Sequence, residues 1–302
     1  DATISLNNIA SMLNTTKEVA AYRLKRLEER GIITNYIGIY HLAKVGLTHF
    51  KLYIKLAHTS PEKKREIVDF VLKEKNFRWL ASSEGNYDIM IAVHFPSIFE
   101  FDQFKERLFT KFGEFFQRNS FAIMTEAEAY PRQYISGESS NSKIFSFCGH
   151  EKKEKLDLDD ILILKSVSAN SRASSVKMSE KIGLSDRVIR YRRKLLEKKG
   201  VIVGYKIVTD HKKLGCLFFK CLIKMRNADK KRLSDFRVYV RQHPNIIHWL
   251  KVLGEWDTEL ELEVSSISEF YGISNEIRNK FSDIISTFDS LLITEEHFTP
   301  QV

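Results

Sequence analysis

Apolar positions along the chain fall into runs that repeat every three or four residues and runs that alternate every second residue. The same succession of runs occurs twice. In the first, Leu6, Ile9, Ala10 and Leu13 share the i, i+3, i+4, i+7 spacing of a short amphipathic helix. Asn14-Thr15-Thr16 breaks it, and Thr15 or Thr16 can cap a second helix running to Arg30, which Gly31 closes as a C′ residue. In the second, Val176–Ile182 is followed by Gly183-Leu184-Ser185, with Ser185 as cap, then a helix to Lys199 and Gly200. Two helices joined by a turn of three or four residues, the second one basic, predict a helix-turn-helix. Val19, Leu27, Val188 and Leu196 read as core by periodicity. The β-branched and aromatic stretches that follow, Ile32–Tyr40 and Val201–Thr209, predict a β-wing.

Downstream of each wing the pattern reads strand, helix, strand, strand, helix, strand. In the first copy these are Thr48–Leu56, Pro61–Leu72, Phe77–Ser82, Tyr87–Phe95, Ile98–Phe112 and Phe121–Ala129. In the second they are Leu217–Met225, Lys230–Gln242, Ile246–Leu253, Asp257–Val264, Ser268–Phe281 and Ser290–His297. The order βαββαβ is the ferredoxin-like arrangement, with helices over one face of a four-stranded antiparallel sheet. Tyr53, Ile89, Ile91, Val93 and Leu222 are assigned to the other face, which therefore calls for a partner sheet.

The two copies superpose at an offset of 169 residues. From position 19 to 55 that register gives 15 identities in 37 positions without a gap. It still holds where Gly85 falls on Gly254, Asp88 on Asp257, Glu100-Phe101 on Glu269-Phe270 and Thr125-Glu126 on Thr294-Glu295. This is a tandem duplication, and it predicts an α+β protein, a tandem repeat of a winged helix-turn-helix plus a ferredoxin-like βαββαβ sandwich domain. The expected boundaries are 1–45 for the first winged helix-turn-helix, 46–130 for the first sandwich, 131–155 for a linker, 156–213 for the second winged helix-turn-helix and 214–302 for the second sandwich. The helix at Leu156–Val167 has no counterpart in the first copy; that counterpart is expected upstream of residue 1. Ser, Gly and charge dominate the linker, with Phe145 and Phe147 suggesting partial docking.

Composition narrows the function. With 43% hydrophobic and 29% charged residues in 302, wholesale disorder is excluded, and no apolar run reaches the ~18 residues of a membrane span. The absence of a signal-peptide pattern and the three cysteines, too few for a disulfide framework, predict a cytoplasmic protein without a membrane partner. No paired His or Cys motif and no Gly-rich phosphate loop is present, and Cys148-Gly149-His150 reads as linker; no metal, cofactor or catalytic residue is predicted. The formal charge of +9 points to a polyanionic partner only if it is localised.

It is localised. Residues 186–200 carry Arg187, Arg190, Arg192, Arg193, Lys194, Lys198 and Lys199 against Asp186 and Glu197. A helix dipole accounts for cations in the last turn but not for Arg187 and Arg190 in the first half. Residues 17–30 are less basic, with Lys17, Arg23, Lys25, Arg26 and Arg30 against Glu18, Glu28 and Glu29. The start of the second helix of a helix-turn-helix reaches base edges in the major groove. That nominates Thr16, Lys17, Ala21, Tyr22 and Lys25 in copy one, and Ser185, Asp186, Arg187, Arg190, Tyr191 and Lys194 in copy two, as contacts to double-stranded DNA. Lys206, Lys212 and Lys213 are phosphate candidates, with exposed solubility charges as an equal alternative. Gly85-Asn86-Tyr87-Asp88 and Gly254-Glu255-Trp256-Asp257 read as turns needing a positive φ at glycine, beside a carboxylate able to accept a bond from a ligand ammonium.

The ordered set resembles the Lrp/AsnC (feast/famine) transcription regulators. Val19, Arg23, Leu24, Leu27, Glu28, Gly31, Ile33, Gly85 and Asp88 match the family pattern in copy one. Val188, Arg192, Leu196, Glu197, Gly200, Ile202, Gly254 and Asp257 match it in copy two. Arg193 departs from it where copy one has Leu24, and the tandem departs from the norm of one unit per chain. The resemblance implies a sequence-specific DNA-binding regulator that self-associates through its sandwiches. It also implies an amino-acid-like effector near Gly85, Asp88, Gly254 and Asp257. The alternative is a tetrapyrrole enzyme like the sirohaem decarboxylases, which resemble the same family and need His and Arg in the sandwich cleft. Here His94 aligns with Glu263 and His41 with Asp210, so no His pair recurs in both copies.

Overall fold

A computed structural model of the chain describes residues 2–136, 144–227 and 229–299. Helices α1 (Leu6–Met12) and α2 (Lys17–Glu29) lead into strand β1 (Ile33–Tyr40) and the short helix α3 (Leu42–Val45). Strand β2 (Thr48–Leu56), helix α4 (Pro61–Leu72), strands β3 (Phe77–Glu84) and β4 (Ile89–Phe95), helix α5 (Ile98–Phe112) and strand β5 (Phe116–Ala129) follow. Then come α6 (Gln133–Ser136) and β6 (Phe145–Cys148). The second half runs α7 (Leu158–Ala169), α8 (Ser175–Ile182), α9 (Asp186–Lys198) and β7 (Ile202–Thr209). It ends with β8 (Leu217–Met225), α10 (Lys230–Gln242), β9 (Ile246–Gly254), β10 (Thr258–Val264), α11 (Ile267–Lys280) and β11 (Ile285–Phe298).

The chain divides into two compact units, and each gathers like parts of both copies. One joins the residues up to His41 with Glu154–Cys216; the other joins Leu42–Lys153 with Leu217–Thr299. In the first unit β1 and β7 pair antiparallel, Gly38 opposite Tyr205 and Tyr40 opposite Ile202. The expected wings are therefore not hairpins within one helix-turn-helix. An eight-residue strand alone leaves a row of unpaired amides and carbonyls, and each copy satisfies them with the equivalent strand of the other. The arrangement is pseudo-two-fold. Ser171 N–H donates to Tyr36 O at 2.8 Å, and Ala2 N–H, its counterpart, donates to Tyr205 O at 3.3 Å. Helix α7 packs across β1 so closely that a Cβ at Gly38 would meet Val167 Cγ1 at 2.5 Å. Its start is a capping box of Asp157 and Asp160.

The helical core is narrower than periodicity predicts. Ala20 and Ile189 are 1% and 0% exposed and Leu196 is buried, but Val19, Leu27 and Val188 are each 37% exposed. In so thin a helical layer α2 and α9 bury one stripe each, and these three residues fall on its margin.

In the second unit each copy forms its expected sheet, in the order β3-β4-β2-β5 and β9-β10-β8-β11. The outer strands then cross: β5 pairs with β9, Ala127 opposite Leu250, and β11 pairs with β3, Ile293 opposite Ser83. Among the described residues this closes an eight-stranded ring, which removes the sheet edges. Strand β6 adds to β5, Ala127 opposite Cys148, so part of the expected linker is ordered structure. Its start is also anchored, with Arg132 Nε and Nη2 donating to Glu263 at 2.6 and 2.8 Å and Tyr134 OH to the same carboxylate at 2.5 Å. Stretch 137–143 of that linker lies outside the described residues.

Two apolar cores lie between helices and sheet. One joins Phe50, Leu52, Ile54, Ile89, Ile91 and Val93 to Ile67, Val71, Phe101, Phe104 and Leu108. The other joins Phe219, Cys221, Ile223, Leu260 and Leu262 to Phe236, Val240, Phe270 and Ile277. Each fully buried aliphatic or aromatic side chain contributes about 1.5–3 kcal/mol. Ile89, Ile91 and Val93 thus face the helices, not the partner sheet as expected. On β4 both alternating sets are apolar (Ile89-Met90-Ile91-Ala92-Val93), so alternation alone could not say which set meets the helices. Tyr53 and Leu222 do lie on the inner face, beside Lys51, Lys220 and Glu259.

Candidate nucleic-acid interface

The two recognition helices are built alike. The turn before α2 passes through Asn14 at φ 48°, and that before α9 through its counterpart Gly183 at φ 75°. Thr16 Oγ1 accepts from Val19 N–H and Ser185 Oγ from Val188 N–H, both at 3.3 Å, so both expected caps form. Gly31 and Gly200, at φ 64° and 66°, end the helices. Behind each, a strand tyrosine donates to a helix glutamate: Tyr36 to Glu28 at 2.5 Å and Tyr205 to Glu197.

Those contacts fix which side chains face outward. Lys17, Arg187, Arg190 and Lys194 are exposed, as are Tyr22 at 61% and Tyr191 at 68%. Arg26 stacks over Tyr22, 5.8 Å from the ring centre, and Lys25 pairs with Glu29 at 3.6 Å. Arg190 is held by Asp186 one turn earlier at 2.6 Å. Three of the seven cations counted over residues 186–200 have other duties, Lys199 pairing with Glu154 at 3.8 Å. Arg192 turns to the start of α7, at 2.8 Å from Asp157, 3.1 Å from Asp159 and 3.0 Å from Asp160. Arg193 lies 4.6 Å over the Tyr205 ring and 3.4 Å from Glu197. This explains how the position equivalent to Leu24 holds an arginine: its flat guanidinium packs on an aromatic face. Lys213 Nζ lies against Gly31, within 2.4 Å of where a Cβ would stand, at the electronegative end of α2. Lys206 lies on β7 opposite Ile37, and the backbone amides of Lys212 and Lys213 donate to Asp210.

The two glycine turns also have structural work. Asp88 accepts from Leu56 N–H at 2.7 Å and from Lys55 Nζ at 2.9 Å. Asp257 accepts from Met225 N–H at 2.7 Å. Each carboxylate thereby ties its turn to the end of the neighbouring strand. Gly85 has φ 134°, as expected of the turn, but Gly254 has no positive φ. Gly254 is needed because β5 passes close by: a Cβ there would lie 2.7 Å from Phe121 O. The two turns meet through Tyr87 OH, which donates to Glu255 at 3.1 Å, and through the Tyr87 and Trp256 rings, 6.1 Å apart.

Inside the ring is a polar cluster that periodicity did not single out. Glu259, fully buried, takes Lys51 Nζ at 2.5 Å and Lys220 Nζ at 3.0 Å on one oxygen. Its other oxygen accepts from Tyr53 OH and from Trp256 Nε1 at 3.1 Å. Lys220 also reaches Glu261 at 2.5 Å, which His248 contacts at 2.6 Å. Burial alone would push the Glu259 carboxyl up; the ammonium groups of Lys220 and Lys51 outweigh it and hold the carboxyl near about 2. A second cluster runs from Arg78 Nε, which donates to His94 Nδ1 at 3.0 Å, to the His94–His49 contact at 2.9 Å. Arginine only donates, so His94 carries its proton on Nε2 and passes the chain of bonds to His49 Nδ1. Burial lowers both histidines, His49 to about 3, and keeps them neutral. The overlooked signal was present: Thr258–Val264 places glutamate at every second position, and Lys51 and Lys220 are the same residue in both copies. Among the described residues no group of three or more His, Cys, Asp or Glu is arranged to hold a metal ion, and no helix is long and apolar enough to cross a membrane.

A winged helix-turn-helix DNA-binding family profile matches residues 156–203. A glutamate uptake regulatory protein of Zymomonas mobilis is 33% identical over 138 residues, spanning 44% of this chain and 84% of that protein. The HTH-type transcriptional regulator LrpC of Bacillus subtilis is 29% identical over 143 residues, 47% of this chain and 94% of its own length. A siroheme decarboxylase solved with an iron-uroporphyrin III analogue superposes with a TM-score of 0.65, covering 99% of this chain and 89% of that one. At 10% identity that likeness shows the fold alone. One-third identity across 84% of a regulator, together with the helix-turn-helix profile on residues 156–203, carries more weight: the chain belongs to the Lrp/AsnC family of DNA-binding transcription regulators.

Proposed function

We propose that the chain is a sequence-specific regulator that docks α2 and α9 in the major groove of duplex DNA. The observation that carries this reading is the exposed face of α9, where Arg187, Arg190, Tyr191 and Lys194 project from a helix fixed at both ends. In α2 the corresponding contacts are Thr16, Lys17, Tyr22 and Lys25, with Thr16 and Ser185 also capping their helices. Phosphate contacts from lysine and arginine supply most of the affinity, and base contacts supply the choice of site. The regulator acts in the cytoplasm, associates with further copies through its sandwich unit, and takes an amino-acid-like effector at Gly85, Asp88, Gly254 and Asp257. An effector ammonium would share Asp88 or Asp257 with the strand amide each already holds.

The Arg78–His94–His49 relay favours a second reading, a tetrapyrrole-binding enzyme on the same fold. Weighing against it is the buried lysine–glutamate cluster, whose side chains lie on the inner face of the ring and pair with one another. We therefore read the chain as a regulator and not an enzyme. Purification separates the two. A colourless protein that retains a particular duplex over random DNA is expected; a haem-like absorbance band and no duplex preference would replace this reading with the enzymatic one.

A further inference from the structure

The two recognition helices share one frame and present different faces. Their caps, left-handed turn residues, end glycines and strand tyrosines are equivalent, and β1 pairs with β7 about a pseudo-two-fold axis. The inward positions match in role, Ala20 with Ile189, and the outward tyrosines Tyr22 and Tyr191 are the same residue. The rest of the first two turns does not match. Lys17 stands where α9 has Asp186, Glu18 where it has Arg187, and Ala21 where it has Arg190. At two adjacent positions the charge is reversed.

These differences lie on the surface that meets base edges. Arginine pairs bidentately with guanine O6 and N7, glutamate accepts from the cytosine N4 amine, and alanine offers only an apolar contact to a thymine methyl. In α9, Asp186 orients Arg190 at 2.6 Å, a pair that α2 cannot form because its two positions hold Lys17 and Ala21. Glu18 is kept below the usual carboxylate range by its own backbone amide and the Thr16 hydroxyl, so it meets DNA as an anion. A dimer of identical subunits reads a palindrome because both halves carry the same side chains. Here the backbone keeps the two-fold relation and the side chains break it.

We infer that one chain reads a duplex made of two unlike half-sites, guanine-bearing where α9 docks and without guanine readout by arginine where the start of α2 docks. This rests on the DNA-binding reading above. The test is selection of bound duplexes from a randomised library with the purified full chain. Two swapped chains are run beside it: K17D/E18R/A21R, which gives α2 the α9 charges, and D186K/R187E/R190A, the reverse. The unmodified chain should select a two-part consensus with different halves, in which changing a base of the α9 half weakens binding roughly 10- to 100-fold. Each swapped chain that retains its helical circular dichroism should select an inverted repeat of a single half, the α9 half for the first and the α2 half for the second. An inverted repeat from the unmodified chain, or an unaltered consensus from a folded swapped chain, overturns the inference and leaves DNA binding intact. Enrichment of no duplex by any of the three sinks the DNA-binding reading, and this inference with it.

Discussion

Lys51 and Lys220, equivalent residues 169 positions apart, close on the same oxygen of Glu259, at 2.5 and 3.0 Å. Copy one contributes a lysine but no acid, because Met90 stands where copy two has Glu259 and Ala92 where it has Glu261. The carboxylates of one sheet therefore neutralise the buried lysines of both. A buried ion pair of this kind is weak evidence of net stabilisation, since desolvating the charges offsets their attraction, but removing one partner strands the other.

Glu259→Gln should accordingly cost on the order of 3–5 kcal/mol, because it leaves Lys51 without its carboxylate and Lys220 with only Glu261. Lys51→Met should cost less, since Glu259 keeps Lys220, Tyr53 and Trp256. Urea denaturation of the full chain measures both. Equal losses would mean that the cluster does not act through the shared carboxylate.

Stability should begin to fall as pH drops below about 6.5, before the carboxylates titrate. Burial holds His49 at about 3 and His94 well below its ordinary value, so the unfolded chain takes up protons that the folded chain refuses. Groups depressed in the folded state stabilise it above their unfolded pKa, and that contribution is lost as pH falls towards the folded value. Each such histidine adds a slope of about 1.4 kcal/mol per pH unit over that window. Burial lowers His243 as well, so His49→Phe, which installs the residue copy two holds at Phe218, should remove about a third of the slope between pH 6 and 5. A denaturation midpoint flat across that range in the unmodified chain would show that the histidines titrate normally.

DNA affinity should fall steeply with salt. About four to eight phosphate contacts give a log–log slope near −0.9 for each contact. Alanine at both Arg187 and Arg190 should weaken binding more than alanine at both Lys17 and Lys25, since α9 carries two arginines where α2 has Glu18, which repels phosphate, and the uncharged Ala21. Fluorescence anisotropy on a selected duplex would reverse this ranking if the larger loss came from the copy-one pair.

Arg192→Ala should behave differently from its neighbours. Its guanidinium ties α9 to Asp157, Asp159 and Asp160 at the start of α7, so its removal should lower the melting temperature and leave the salt slope unchanged. A shallower slope, with the melting temperature unmoved, would place Arg192 on the phosphates instead.

The local architecture was legible in the sequence. Period 3.6 and period 2, Thr16 and Ser185 before apolar runs, and Gly31 and Gly200 after them fixed the helices and most strands, because capping and alternation act within a few residues. The offset of 169 exposed the duplication, and charge density picked out α9. The tertiary structure decided what needs a partner distant in sequence. Alternation sorts Ile89, Ile91 and Val93 onto one face without saying that helices cover it. A basic helix shows its charge but not that Arg192 and Arg193 are drawn to Asp157 and Tyr205. Neither β1 nor β7 announces that its mate is the other, since unpaired backbone groups are the same in every strand and only proximity selects among them. Lys51, Lys220 and Glu259 meet for the same reason: Coulomb attraction in a dry interior is strong only at contact, and contact between residues 208 positions apart is a property of the closed ring.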